Sequence, residues 1–472
     1  MSVRERAFSW RGVHLWLFLA AACGFLLFQQ GEITESDGTS VYQAARSMMS
    51  GRIDVAPEYG VRGVGGRYYS KYGPGLSLVV LLPMLAVQPI AGHAGGAFLE
   101  QAAAASVIPI VAALLLVALF ELGIELGARK SASIGMAIGA TAGTYALSYT
   151  KDFFSEPLVA LFIALAMLMA LRRKALLCGL AVSAAAITRP QFLLLMPVFA
   201  VLLAVTDRRG LPRLIAGMVP GVVMLAVYNW ARFGTVTGTG YGAEGFGTPI
   251  WVGVAGLLAS PAKSVILFAP VVVVLPWALA RLRQARPEAF WMMCGVMAAT
   301  VVTSATWHSW QGGWSWGPRL LLPGLLPVLP AVALWMDSAP KARAVLALCV
   351  LGALITLPAV IVSNQAQELD RPLPVDGPSI IRQFALIPGV ISYTLHHARD
   401  GGPALTGVSR RFVNTWQVGA VRALGGKGLI LGLVGTGLLA AGGIFSGRKV
   451  IDSMAPDAAP RREFARVQRV AS

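Results

Sequence analysis

The chain is poor in charge. Asp, Glu, Lys and Arg make up 13% of its 472 residues, where a soluble globular domain carries about 25%. Acids are the scarcer sign, 22 against 39 basic residues. Cysteine is scarce too. Cys23, Cys178, Cys294 and Cys349 each fall inside an apolar run, without metal-ligand spacing or a pairing pattern, so packing is their expected role. The sequence has no Walker A loop, no dinucleotide-binding glycine fingerprint, no zinc spacing and no Ser-His-Asp signature. ATP-driven transport and nucleotide-sugar chemistry in a soluble domain therefore lack support. No internal repeat is visible either.

Hydrocarbon is what the chain has in excess: 56% of residues are hydrophobic and the mean hydropathy is +0.67. A bilayer excludes open sheet edges, so an all-α, polytopic membrane protein is expected. Apolar segments lie near 14–30, 103–127, 132–149, 156–171, 213–231, 264–280, 288–306, 320–336, 342–362 and 428–446. Two shorter helices between Lys174 and Thr206 break at Thr188-Arg189-Pro190, because proline disfavours helix at the residue before it. That gives about twelve transmembrane helices. The formal charge of +17 does not point to nucleic acid, since the basic residues sit between apolar segments, as in cytoplasmic loops.

Sidedness follows from those loops. Arg4, Arg6 and Arg11 place the N-terminus in the cytoplasm as a retained anchor. The clusters at 129–130, 172–174, 208–209, 281–286, 341–343 and 448–449 share that side only if Leu76 to Ile90 does not cross. That stretch is short and interrupted by Pro83 and Pro89, so it is expected to lie at the outer surface. Segments 31–102, 150–156, 188–190, 232–263, 307–319 and 363–427 then face outward. Residues 428–446 form the last span, and 447–472 form a disordered cytoplasmic tail. Ser40 to Ser50 reads as an amphipathic surface helix.

Every candidate for chemistry lands on the outer side. Asp37 follows the first span and Glu156 opens a later one. Charge at the bilayer is costly and tends to face a polar cavity. These acids can deprotonate an acceptor hydroxyl or hold a divalent cation, and helix capping accounts for them equally well. Asp152 rivals Glu156, with Lys151 beside it as a neutralising partner. Lys71 sits among tyrosines in a glycine-rich loop that suits a phosphate, or an interfacial belt. Arg189 and Arg319 oppose the positive-inside trend and need anionic partners, either a phosphate or, for Arg189, a salt bridge to Asp152 or Glu156. Residues 307–319 hold four of the 12 tryptophans together with His308, and aromatic faces stack on sugar rings. The loop with Tyr241 and Glu244 reads equally as a lid and as a plain flexible connection.

The order of these stretches (Ser36-Asp37-Gly38, 69–75, Phe153-Phe154-Ser155-Glu156-Pro157, Thr188-Arg189-Pro190 and 312–319) resembles the GT-C glycosyltransferases. The nearest branch in pattern is the dolichyl-phosphate-mannose protein mannosyltransferase and aminoarabinose transferase type. The resemblance covers roughly residues 14 to 340 and implies a GT-C-like catalytic domain over 1–362. It also implies a polyprenyl-phosphate sugar donor, a glycan, lipid or protein acceptor, and an inverting transfer outside the inner membrane. By the same resemblance Asp37 is the base or acceptor-orienting acid. Lys71 and Arg189 hold the donor phosphate, with Arg319 assisting; the aromatic stretches themselves make Tyr72, Tyr241, His308, Trp310 and Trp314 the expected substrate contacts. Glu156 stands where the family often has Asp, which leaves its role and any divalent cation open. The stretch after 363, with His396-His397 and Arg410-Arg411, departs from the family pattern. A glycolipid flippase is the alternative, but it should carry its polar residues mid-span, often with inverted repeats.

Overall fold

The computed structural model describes residues 12–92, 95–242, 244–313, 315–361 and 415–454. It is built almost wholly of helices. In chain order these are α1 (Val13–Phe28), α2 (Ser36–Met48), α3 (Gly75–Ala91), α4 (Gly96–Ala105), α5 (Val107–Leu126), α6 (Lys130–Ala142), α7 (Glu156–Leu171), α8 (Ala175–Thr188), α9 (Leu195–Thr206) and α10 (Leu211–Phe233). There follow α11 (Ile250–Ala259), α12 (Val265–Phe268), α13 (Leu275–Ala285), α14 (Pro287–Thr306), α15 (Leu322–Val328), α16 (Val332–Trp335), α17 (Ala339–Ile361), α18 (Trp416–Leu424) and α19 (Gly426–Met454). A small hairpin in the first long loop is the exception to the all-α expectation. It pairs β1 (Val61–Arg62) with β2 (Tyr68–Tyr69), Val61 opposite Tyr69.

Among the described residues, five helices are long and apolar enough to cross a bilayer: Gly96–Leu126, Arg208–Phe233, Pro287–Thr306, Ala339–Val360 and Gly426–Met454. Seven further apolar helices run 10–17 residues. Helix length alone does not confirm about twelve transmembrane helices, and proline accounts for some of the shorter ones. The segment 264–280 breaks at Pro270, where α12 ends and a 3-10 turn begins. The segment 320–336 is divided by Pro327 and Pro330. Other boundaries also moved. The segment 132–149 ends as a helix at Ala142, and the surface helix is Ser36–Met48. The last helix runs on to Met454, so the tail does not begin at 447. Most of 363–427, with His396, His397, Arg410 and Arg411, lies outside the described residues, as do residues 455–472.

The helix α5 is the axis of the core, buried along most of its length against α1, α6 and α7. The helices that position the candidate residues are joined by close backbone contact. Ser183 on α8 donates to the carbonyls of Gly217 and Met218 on α10, at 2.8 and 2.9 Å. Helices in lipid approach this closely only through small residues. A Cβ on Gly217 would sit 2.4 Å from the Leu176 carbonyl oxygen and 2.8 Å from the Leu180 nitrogen. Gly217→Leu is therefore expected to pry α10 from α8 at about 1–3 kcal/mol or more and lower the thermal unfolding temperature in detergent. Gly437→Leu is the control, because nothing lies within 4 Å of a Cβ there. Equal melting of the two variants would refute this account of the α8–α10 contact.

Candidate active site

Four charged side chains from four separate stretches converge at one end of the bundle. Asp37 and Glu156 both stand in the first turn of their helices, α2 and α7, as capping residues would. Their side chains bond elsewhere. Tyr72 Oη donates to Asp37 Oδ1 at 2.5 Å, and Arg319 Nη1 lies 3.2 Å from Asp37 Oδ2. Arg189 Nη2 donates to Glu156 Oε1 at 2.7 Å and its Nε donates to Ser155 Oγ at 2.7 Å. Arg319 Nε is 3.3 Å from the same Glu156 oxygen. One guanidinium thus bridges both acids. Glu156, not Asp152, is the acid that meets Arg189; Asp152 is buried beside Lys151, 3.5 Å away.

Local sequence explains the convergence. A Cβ at Gly38 would lie 2.8 Å from the Phe153 carbonyl oxygen, so α2 reaches the start of α7 only because that residue is glycine. A Cβ at Gly73 would lie 2.1 Å from the Ile187 carbonyl oxygen, so the loop with Lys71 and Tyr72 presses on the end of α8. There Pro190 stops the helix and Arg189 turns extended, at φ −137° and ψ 103°. The rings add contact: Arg189 lies 5.7 Å from the Tyr72 ring centre and Arg319 4.6 Å from that of Phe154.

These groups surround a cavity of about 580 Å³. Asp37, Lys71, Tyr72, Arg189, Tyr241, His308 and Arg319 line it. Glu156 does not; its side chain is 2% exposed and lies behind the arginines. Lys71 Nζ reaches Glu244 at 2.7 and 2.8 Å and stands 5.2 Å from the Tyr241 ring centre. The loop carrying Glu244 is fixed to the end of α14, where His308 N donates to Gly245 O at 2.9 Å. Tyr241 meets Tyr72 and Trp307 edge-on, at 6.3 and 5.3 Å.

Trp310 is not part of this wall. It is buried against Gly256 of α11, where a Cβ would come within 2.0 Å of its ring. Trp314 lies outside the described residues. Trp307, Phe246 and Glu244 line the cavity; only their loops, not their individual roles, were legible beforehand. Two buried cations went unrecognised. Lys263 donates to Gly313 O and Ser315 O at 3.0 and 2.6 Å, shaping the turn before Arg319. Arg232 holds the loop of Lys71.

Burial alone would raise the Asp37 carboxyl. Arg319, then Arg189 and the Tyr72 hydroxyl, outweigh it and hold Asp37 below the usual carboxylate range. Burial, followed by the Asp37 charge and hydrogen bond, pushes the Tyr72 hydroxyl up, so Tyr72 stays a donor. A divalent cation does not suit Asp37 and Glu156, because Arg319 lies against both and would repel it. Among the described residues, no group of three or more His, Cys, Asp or Glu is close enough to hold a metal.

Against solved structures, this fold is similar to ArnT from Cupriavidus metallidurans in the apo state. The TM-score is 0.52 and the identity 15%, over 91% of this chain and 76% of that one. The apo oligosaccharyltransferase of Archaeoglobus fulgidus follows at 0.49 and 10%, over 76% of this chain and 56% of that one. AglB from Archaeoglobus fulgidus, in complex with an inhibitory peptide and a dolichol-phosphate, follows at 0.45 and 10%, with the same coverage. No protein-family model matches the chain, and no curated protein matches it. The fold is ArnT-like, and five of its described helices are long and apolar enough to cross a bilayer.

Proposed function

We propose that this protein is an inverting glycosyltransferase that moves a sugar from a polyprenyl-phosphate donor to an acceptor hydroxyl at the periplasmic face of the inner membrane. The observation that carries the reading is Arg319 bridging Asp37 and Glu156 at the wall of a cavity that Lys71 and Arg189 also line. An acid beside three cations fits a reaction in which a proton leaves one oxygen while negative charge grows on another. A flippase does not need a base at its site mouth.

The acceptor oxygen attacks the anomeric carbon, its proton passes to Asp37, and the carbon–oxygen bond to phosphate breaks with its electron pair leaving on the phosphate. The donor phosphodiester carries one negative charge; the departing phosphate monoester gains a second. Arg189, Arg319 and Lys71, already fixed around the cavity, stabilise that charge as it develops. Donor phosphate also offsets the guanidinium charge that keeps Asp37 acidic in the resting site. Asp37 thereby becomes a stronger base when the donor arrives. Glu156, behind the cavity wall, positions both arginines. The rings of Tyr241 and Trp307 supply a stacking surface for the sugar.

The test is transfer of a labelled sugar from a panel of polyprenyl-phosphate donors, with the full chain in membranes or detergent. Labelled product should form from at least one donor, with polyprenyl phosphate released. Passage of intact glycolipid across proteoliposomes without cleavage would replace this reading with the flippase.

A further inference from the structure

Arg232 is a buried guanidinium that the mechanism above does not use. It sits in the last turn of α10 with 1% of its surface exposed. Its hydrogen-bond partners among the described residues are all neutral. Nη1 donates to Ser70 O and, at 3.1 Å, to Tyr72 O; Nη2 donates to Asn229 Oδ1 at 2.7 Å; Nε donates to Tyr228 O at 3.3 Å. The guanidinium also lies 3.9 Å from the ring centre of Tyr228 and 4.8 Å from that of Phe233. No carboxylate is among these partners, so an entire buried cation is spent on two loop carbonyls and the end of its own helix. A buried charge without a counter-ion is costly. An apolar side chain of similar volume would fill the space without that cost.

What Arg232 gains is the path of one short segment. The carbonyls it holds flank Lys71, the residue that faces the cavity with its ammonium. They also bracket the backbone from which Tyr72 reaches Asp37. Nη1 holds both loop carbonyls while Nη2 and Nε of the same planar group stay anchored on Asn229 and Tyr228, a division of donors that a lysine ammonium does not reproduce. The end of α10 is itself pressed on the hairpin, where a Cβ at Gly63 would lie 2.2 Å from the Arg232 carbonyl oxygen. The segment from Gly63 to Tyr72 therefore takes its position from α10.

We infer that Arg232 is a positioning residue for the donor phosphate, holding the Ser70–Tyr72 backbone so that Lys71 and Tyr72 enter the cavity in a fixed geometry. The inference rests on the donor reading given above. A guanidinium that clamps the carbonyls on either side of a lysine proposed to bind phosphate should affect donor capture more than acceptor capture.

Two measurements on the full-length protein test it. The first, amide hydrogen exchange over residues 61–75, needs no donor. In Arg232→Met, exchange at 70–73 should rise about tenfold or more, while α10 residues 214–228 stay as in the wild type. The second is steady-state transfer from a labelled polyprenyl-phosphate sugar. Donor KM should rise about tenfold with acceptor KM unchanged, and Arg232→Lys should recover part of the loss. Adding Lys71→Met to Arg232→Met should raise donor KM no further than Lys71→Met alone, because Arg232 acts through Lys71. Unchanged exchange at 70–73 overturns the inference, as does faster exchange with an unaltered donor KM or an additive double variant. If Arg232→Met does not fold, Arg232→Lys carries the same comparisons with smaller changes of the same sign. If the wild type transfers sugar from no such donor, the enzymatic reading fails and the phosphate role falls with it, while the exchange measurement still decides whether Arg232 holds the loop.

Discussion

Asp37→Asn should leave the protein folded and lower sugar transfer by about 10²–10⁴-fold, the range for loss of a general base. Asparagine keeps the shape and still accepts the Tyr72 hydroxyl hydrogen bond, but it has no carboxylate to take the acceptor proton. Donor KM should change little, because the proposed mechanism gives the phosphate to Lys71, Arg189 and Arg319. The wild-type pH profile gives an independent check. Asp37 is held below the ordinary carboxylate range in the resting site, which lies near about 3.9 for an aspartate. The acid limb of kcat/KM, which reports the free enzyme, should therefore fall below that value. The acid limb of kcat reports the donor complex, where phosphate offsets the arginines, and should lie at higher pH. The linkage has the same sign. A depressed carboxyl contributes stability that is present above its unfolded value and is lost as pH falls through the folded one. Arg319→Gln removes the largest charge that opposes burial, so the acid limb of kcat/KM should rise. Coincident limbs in the wild type, or full activity in a folded Asp37→Asn, would remove Asp37 from the proposed chemistry.

Legibility in the sequence followed cost. Ionic groups are so expensive beside a bilayer that each one stands out against 56% hydrophobic residues. Asp37, Glu156, Arg189 and Arg319 were visible on those grounds, and the fold brings them within a few ångströms of one another. The break at Arg189 was visible because Pro190 dictates it. Partners were not legible. Whether Arg189 met Asp152 or Glu156 depended on how a 3-10 turn at Tyr145–Thr150 directs the chain into α7. The Lys71–Glu244 contact joins residues 173 positions apart, and no local pattern announces it. Trp310 misled because aromatic density was read as one surface, whereas close approach by Gly256 takes that ring into helix packing. Helix lengths misled where proline interrupted apolar runs that hydropathy treats as continuous. Arg232 and Lys263 did not stand out, because the backbone carbonyls that hold them leave no trace in a sequence.

Glu156→Ala should be among the most destabilising single substitutions at this site. The change leaves the Arg189 guanidinium without its carboxylate and Arg319 with Asp37 alone, and the two side chains are only 7% and 11% exposed. Removing one partner of a buried ion pair costs about 3–5 kcal/mol, whereas a surface pair contributes about 0–1 kcal/mol. The expected result is a large fall in thermal unfolding temperature in detergent, with a smaller fall for Glu156→Gln, which retains an acceptor oxygen for Arg189 Nη2. Added polyprenyl phosphate should then stabilise Glu156→Gln more than it stabilises the wild type. Its anion supplies the charge the variant lacks, and a ligand stabilises the state it binds in proportion to its affinity. A catalytic role for Glu156 makes the opposite prediction: Glu156→Gln would keep wild-type stability and ligand response and lose only kcat. The two outcomes separate a carboxylate that holds the arginines from one that reacts. The wild-type geometry favours the former, because both arginines lie on a single Glu156 oxygen and only Asp37, among the site's two central acids, faces the cavity.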